Sequence, residues 1–234
     1  MEWEIIHIAE TDSTNRWLRE RGGEGDMVVV ADYQTAGKGQ GTNSWESERG
    51  KNLLFSVLYH PQRIPANRQF HISMAVSLAI ADALGEHIGD VSIKWPNDIY
   101  WRNAKICGIL IENRLLGQTI RDSIIGVGVN VNQRQFHSNA PNPVSLWQIH
   151  GHETDLELLL QSILDKFTLY INKKEIKTQY LHQLYRRKGF HPYADREGSF
   201  MAEIVDVEDD GHLLLCDDNG QQRRYAFKEV SFVI

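Results

Sequence analysis

Three consecutive apolar segments joined by very short links constrain this chain more than anything else in it. Residues 99–101 and 106–112 are separated only by Arg102-Asn103-Ala104-Lys105, and Leu116-Gly117-Gln118 then turns the chain into a further strand-like run over 119–131. Links of this length join neighbouring antiparallel strands and are too short for a parallel crossover. Ahead of them, runs at 3–8, 27–33, 52–59 and 91–95 read as strands. Helical spacing marks 70–84, where Phe70, Met74, Leu78 and Ala81 share a face. Residues 155–170 and about 175–187 predict two more helices. Asp12 or Ser13 predicts the cap of another, which runs to Arg21 and closes at Gly22-Gly23. Helices interleave with strands, yet hairpins join several of the strands. The fold class expected is therefore α+β, a mixed, largely antiparallel sheet flanked by helices.

Past Gly189 the composition changes. Runs at 199–207, 213–216 and 222–227 read as short strands, with tight turns at Asp209-Asp210-Gly211 and Asp218-Asn219-Gly220. Residues 1–188 are expected to form one large unit and 189–234 a small all-β unit docked on it, because roughly 45 residues bury too little surface to hold alone. The polar stretch 133–143, with Pro141 and Pro143, is expected to be a mobile loop. A net charge of −6 argues against a nucleic-acid-binding surface. The start, Met1-Glu2-Trp3-Glu4, lacks the pattern of a secretory leader, and no apolar run approaches a membrane span. Cys107 and Cys216 each lie in an apolar run and read as reduced thiols of a cytoplasmic protein.

Two segments carry chemistry. Lys94-Trp95-Pro96-Asn97-Asp98 sets ammonium, amide and carboxylate groups at the lip of an apolar strand, and Lys105-Ile106-Cys107-Gly108 follows closely. A rigid strand end of this kind can hold anions and a metal ion. The stretch Gln34-Thr35-Ala36-Gly37-Lys38-Gly39-Gln40-Gly41-Thr42-Asn43-Ser44-Trp45 is a glycine-rich loop between two strand-like runs. Its glycines let backbone N–H groups approach an anion, and Lys38 adds charge. Singly, each feature has a plain reading: Lys105 a solvated lysine, Asn97-Asp98 a turn, the loop a surface connection. The histidines show no metal-ligand spacing, and His150 and His152 read as surface residues beside a glycine turn.

In order and spacing these motifs resemble those of the biotin–protein ligases, or biotin–acetyl-CoA-carboxylase ligases. The matching segments are Asp12-Ser13-Thr14-Asn15, Gln34 with Gly37-Lys38-Gly39 and Trp45-Glu46-Ser47, Lys94 to Asp98, Lys105 with Gly108-Ile109-Leu110-Ile111-Glu112, and Gly126-Val127-Gly128-Val129-Asn130. They span nearly the whole sequence. The resemblance implies a catalytic domain related to class II aminoacyl-tRNA synthetases, followed by a small C-terminal β-barrel. It implies that biotin and ATP give biotinyl-5'-AMP, from which biotin passes to a lysine of a biotin carboxyl carrier domain. Some family members add an N-terminal DNA-binding domain and repress transcription. Because Trp3 already opens the catalytic part, no DNA partner and no repressor activity are expected, and no membrane partner either. Pairing of two copies through edge strands stays open.

The same resemblance assigns Ser13, Thr14, Asn15, Gln34, Gly37, Lys38, Gly39, Gln40, Lys105 and Gly108 to biotin, the first four around its ureido ring. It assigns Trp45, Asn97, Asn130 and Lys105 to ATP. Lys105, Lys38 and Asp98 are the catalytic candidates, with Asp98 near Mg²⁺ and the incoming lysine. The first step drives a carboxylate against an α-phosphate, so cations and amide donors must stand where charge gathers. The glycine loop is expected to be disordered without ligand and to fold over biotin. Gly108, Gly126 and Gly128 either admit ligand close to the backbone or permit tight strand packing. The tail, with Lys228 and Glu229, either helps close over ATP or docks the carrier. One departure is Gln40: family members often have arginine there, and a basic residue near Asn43, so this loop carries less positive charge. Two other readings compete. A lipoate or octanoyl transferase has the same fold, and the octanoyl enzymes use a cysteine nucleophile, but Cys107 sits in an apolar strand without a matching histidine motif. A protein that binds biotin without catalysis is favoured only by Gln40.

Overall fold

A computed structural model describes residues 3–41, 43–62, 64–138 and 141–234. Thr42 of the glycine-rich loop and Asn139-Ala140 of the polar stretch lie outside the described residues. The larger sheet contains β1 (Glu4–Ile8), β2 (Met27–Ala31), β3 (Leu53–Tyr59), β4 (Val91–Lys94), β5 (Asp98–Trp101), β6 (Ala104–Leu116) and β7 (Thr119–Val129). Their spatial order is β1-β2-β3-β7-β6-β5-β4. The β1–β2 pair is parallel and the other pairs are antiparallel, as the short links require. The sheet is thus mixed and largely antiparallel, and the hairpins joining β5, β6 and β7 form its centre and one flank.

The two faces of this sheet differ, and that difference makes the site. One face, with Leu53, Phe55 and Val57 of β3 and Ile125, Val127 and Val129 of β7, is sealed in the main core with α2 (Phe70–Gly85) and α4 (Leu156–Ile171). The other face carries a small cluster of Leu18, Met27, Val29, Leu58 and Ile124 under α1 (Thr14–Arg21). Leu54 and Leu110 share that face, and between them it carries only small residues: Gly108 stands directly opposite Gly128, and Ser56 opposite Gly126. Alternation along the strands puts all four on one side, so part of that face is left as bare backbone.

Several elements depart from the sequence expectation. α2 is buried nearly all round instead of along one stripe, because it lies between the sheet and α4. α3 (Leu146–His150) was not foreseen, although Ser145 and Gln148 form a reciprocal capping box. The helix expected over 175–187 is only α5 (Lys177–His182). The polar stretch 133–143 is anchored at both described ends. Gln133 is buried and accepts from Asn52 Nδ2 at 2.5 Å, and the Asn142 carbonyl accepts from Lys105 N at 2.8 Å.

The second sheet contains β8 (His191–Asp195), β9 (Gly198–Val207), β10 (Leu213–Asp217), β11 (Gln222–Tyr225) and β12 (Ser231–Phe232), in the order β11-β10-β9-β8-β12. A small antiparallel β unit thus stands where the resemblance implies a small C-terminal β-barrel, and among the described residues no ladder joins β11 to β12 to close it. Edge strands of four and two residues are too short to meet. The sheet is docked firmly: Tyr193, Ile204 and Leu215 belong to the same core as α2, and Trp95 Nε1 donates to the Gly211 carbonyl at 2.9 Å. No helix among the described residues is long and apolar enough to cross a membrane.

Candidate active site

The bare-backbone patch forms the floor of a cavity of about 140 Å³. Its walls include Ser13, Thr14, Asn15 and Gln34 on one side, Lys38, Gly39, Gln40 and Trp45 of the glycine loop as a cover, and Asn97, Asp98, Lys105 and Gly108 at the far end. The structure thus gathers every candidate except Gly37 and Asn130 around one space. Gly37 is buried behind it, where its carbonyl accepts from Trp45 N at 2.9 Å and ties the loop back on itself.

Small polar residues are locked in place at the first wall. Gln34 Oε1 accepts from Thr14 N at 2.7 Å and lies 3.1 Å from Thr14 Oγ1. The buried Ser56 hydroxyl lies 2.7 Å from Thr14 Oγ1 and 2.6 Å from Asn15 Oδ1. Asn15 Nδ2 donates to Glu112 Oε2 at 2.9 Å. Ser13 occupies the helix cap position, but its side chain makes no cap; Asp12 Oδ1 takes the Ser13 N–H instead. Both the buried Ser56 and Glu112 went unnoticed as site residues. The signal for Ser56 was one hydroxyl inside Leu53-Leu54-Phe55-Ser56-Val57-Leu58, a run with no other polar side chain.

A bulge sets the other end. Ile99 pairs with Cys107 but Tyr100 pairs with Lys105, so Ile106 is an extra residue in β6. Ile106 and Cys107 both enter the main core, and Lys105 is turned out to the glycine face. Its Nζ lies 2.7 Å from Asp98 Oδ1, and a Cβ on Gly108 would stand 3.3 Å from it. Asn97 is fixed by donating Nδ2 to the Ile109 carbonyl at 2.5 Å. Neighbouring Lys94 is held below the ordinary lysine pKa by burial, with Asp98 opposing that shift. Burial pushes the Cys107 thiol far up, which leaves it unreactive.

Trp45 divides this cavity from a second one of about 520 Å³, which Lys94, Asp98, Lys105 and Asn130 also line. The indole lies on the glycine pair: a Cβ on Gly128 would be 2.5 Å from Trp45 Cε2, and one on Gly108 2.9 Å from Cζ3. Close approach is therefore the role of these glycines, and Gly126 likewise leaves room for Asn15. Trp45 Nε1 and Asn130 Oδ1 are buried without a protein partner among the described residues. Such orphans suit a ligand rich in donors and acceptors. Asp98 is the one carboxylate lining the first cavity among the described residues, and one of its oxygens faces Lys105. That suits Mg²⁺, which takes one or two carboxylates and fills its shell from water and phosphates.

The model of the biotin/lipoate A/B protein ligase family matches residues 7–130, more than half of the chain. The chain belongs to that family. This ligase is 29% identical over 242 residues to the bifunctional ligase/repressor BirA of Bacillus subtilis, covering 94% of this chain and 70% of that one. It is 32% identical over 169 residues to the biotin–[acetyl-CoA-carboxylase] ligase of Paracoccus denitrificans, covering 68% of this chain and 70% of that one. Among solved structures it is similar to the biotin protein ligase of Aquifex aeolicus in complex with biotin and ATP, with a TM-score of 0.81, 26% identity and 97% of both chains covered.

Proposed function

We propose that this ligase activates biotin with ATP as biotinyl-5'-AMP and transfers biotin to a lysine of a biotin carboxyl carrier domain. The observation that carries the proposal is the Lys105–Asp98 pair, 2.7 Å apart, in the wall common to two cavities of different character. The first cavity, with Thr14, Asn15 and Gln34 held by hydrogen bonds, suits the ureido ring of biotin, whose neutral amides need fixed donors and acceptors. The second, with the Trp45 ring and the orphaned Asn130 oxygen, suits the nucleotide. The two ligands then meet at Lys105. Its ammonium balances the charge that builds as a carboxylate oxygen bonds to the α-phosphorus and pyrophosphate leaves. Lys38 adds a second cation from the glycine loop, whose closure keeps water from the mixed anhydride. In the second step the acceptor amine attacks the acyl carbon and AMP leaves, with Asp98 placed to orient that amine. Mg²⁺, bound chiefly by the phosphates, would take an oxygen from Asp98. We assign catalysis to residues 1–188 and a covering role to 189–234.

The test is incubation with α-labelled ATP, Mg²⁺ and either biotin or lipoate. Biotin, and not lipoate, is expected to give labelled biotinyl-5'-AMP and pyrophosphate, with labelled AMP following only when a carrier is added; adenylate formed with lipoate alone would contradict the assignment. Cys107→Ser is expected to leave biotin transfer to a carrier intact. Loss of transfer, with adenylation unchanged, would instead favour a thioester route.

A further inference from the structure

Among the described residues, five other than glycine hold a positive φ: Asp90, Arg102, Asn142, Arg186 and Lys228. This conformation crowds Cβ against the backbone and persists where something holds it. Four of the five have a visible reason. Arg102 and Asp90 form an ion pair at 3.0 Å. Arg186 donates to the carbonyls of Pro192 and Val233, and Asn142 Nδ2 donates to the Asn103 carbonyl. Lys228, at φ 70°, has no hydrogen bond or carboxylate partner among the described residues. Its turn, just before β12, aims the side chain at the glycine loop instead. A Cβ on Gly41 would stand 2.5 Å from Lys228 Nζ. A cleft between the two sheets is lined by Lys228 together with Gln40, Asn43, Lys94, Asn97 and Asp98.

We propose that Lys228 is a substrate-positioning residue, which supplies the loop with a cation from the second sheet and binds the phosphates of the nucleotide. This rests on the ligase reading above. Gln40 is neutral and lies in the same cleft, so the loop itself offers only Lys38. Lys105 is already paired with Asp98. A polyphosphate brings several negative charges, and an unpaired ammonium beside Gly41 is placed to meet them as the loop closes. The second sheet is then part of the lid.

Lys228→Gly separates this role from a structural one, because glycine adopts the same φ without crowding. The variant is expected to unfold at a temperature no lower than the wild type. Its KM for ATP should rise about tenfold, the scale of a lost charge-assisted hydrogen bond, with KM for biotin unchanged. Lys228→Arg should stay near wild type, and Gln40→Arg added to Lys228→Gly should recover most of the loss. An unchanged KM for ATP in Lys228→Gly, or equal rises for ATP and biotin, would overturn the proposal. If the wild type itself released no pyrophosphate with biotin, the ligase reading would fail instead.

Discussion

At the scale of single residues, the site depends on groups that cannot move. Ser56 has one proton to share between Thr14 and Asn15, and it sits fully buried on a strand whose next residues enter the core. Ser56→Ala leaves buried acceptors without a donor, which costs about 1–3 kcal/mol. We expect a lower unfolding temperature together with a higher KM for biotin, measured by thermal denaturation and steady-state kinetics. An unchanged KM would show that the wall does not depend on this hydroxyl. Lys105 is set by a different device, the extra residue at Ile106. Strict alternation would send Lys105 to the side of Cys107, into the core.

At the scale of elements, the glycine loop and its neighbours form a latch. The N–H groups of His137 and Ser138 donate to Glu46 at 2.8 and 2.7 Å, just after Trp45. Burial pushes the Glu46 carboxyl up, but the Ser138 side chain together with these two N–H groups outweighs it and holds the group below its ordinary 4.5. The folded value lies below the unfolded one, so the latch is complete above about pH 4.5 and is lost as pH falls through the lowered value. Glu46→Gln keeps one acceptor oxygen in place of two. Amide exchange at 137–138 should then speed up by about tenfold at neutral pH, and equal protection in the variant would count against the latch.

The same elements show what the sequence could and could not disclose. The central hairpins were readable because their links are too short for any other pairing. Asp12-Ser13-Thr14-Asn15 and the Lys94 to Asp98 segment were readable because polar groups abut apolar runs. The bulge at Ile106 was not, since a one-residue register shift leaves the apolar pattern of β6 intact. β8 and β12 were missed because His191-Pro192 is a poor strand start and Ser231-Phe232 is only two residues. The described ends of the 133–143 stretch looked like free loop because their partners, Glu46, Asn52 and the Lys105 backbone, lie far away in sequence.

At the scale of the whole molecule, one core serves both sheets. Phe70 of α2 stacks edge-on to Tyr180 and also meets Gly211, where a Cβ would come within 2.7 Å of the ring. Trp95 meets Phe227 edge-on, and Lys94 lies 4.9 Å from the Phe232 ring. A unit of that size held by such contacts should not unfold separately. Far-ultraviolet dichroism and tryptophan fluorescence are therefore expected to give one coincident thermal transition; two separated midpoints would mean that the second sheet is an independent domain.

The central claim is that Lys105 joins two anions at the meeting of two cavities. Its most direct test is the single-turnover yield of biotinyl-adenylate from biotin, labelled ATP and Mg²⁺, in the wild type and in Lys105→Ala. The wild type should form the adenylate and the variant should form it at least about a hundredfold more slowly, the scale of one lost electrostatic stabiliser. A variant that forms it at a near-normal rate would contradict the account.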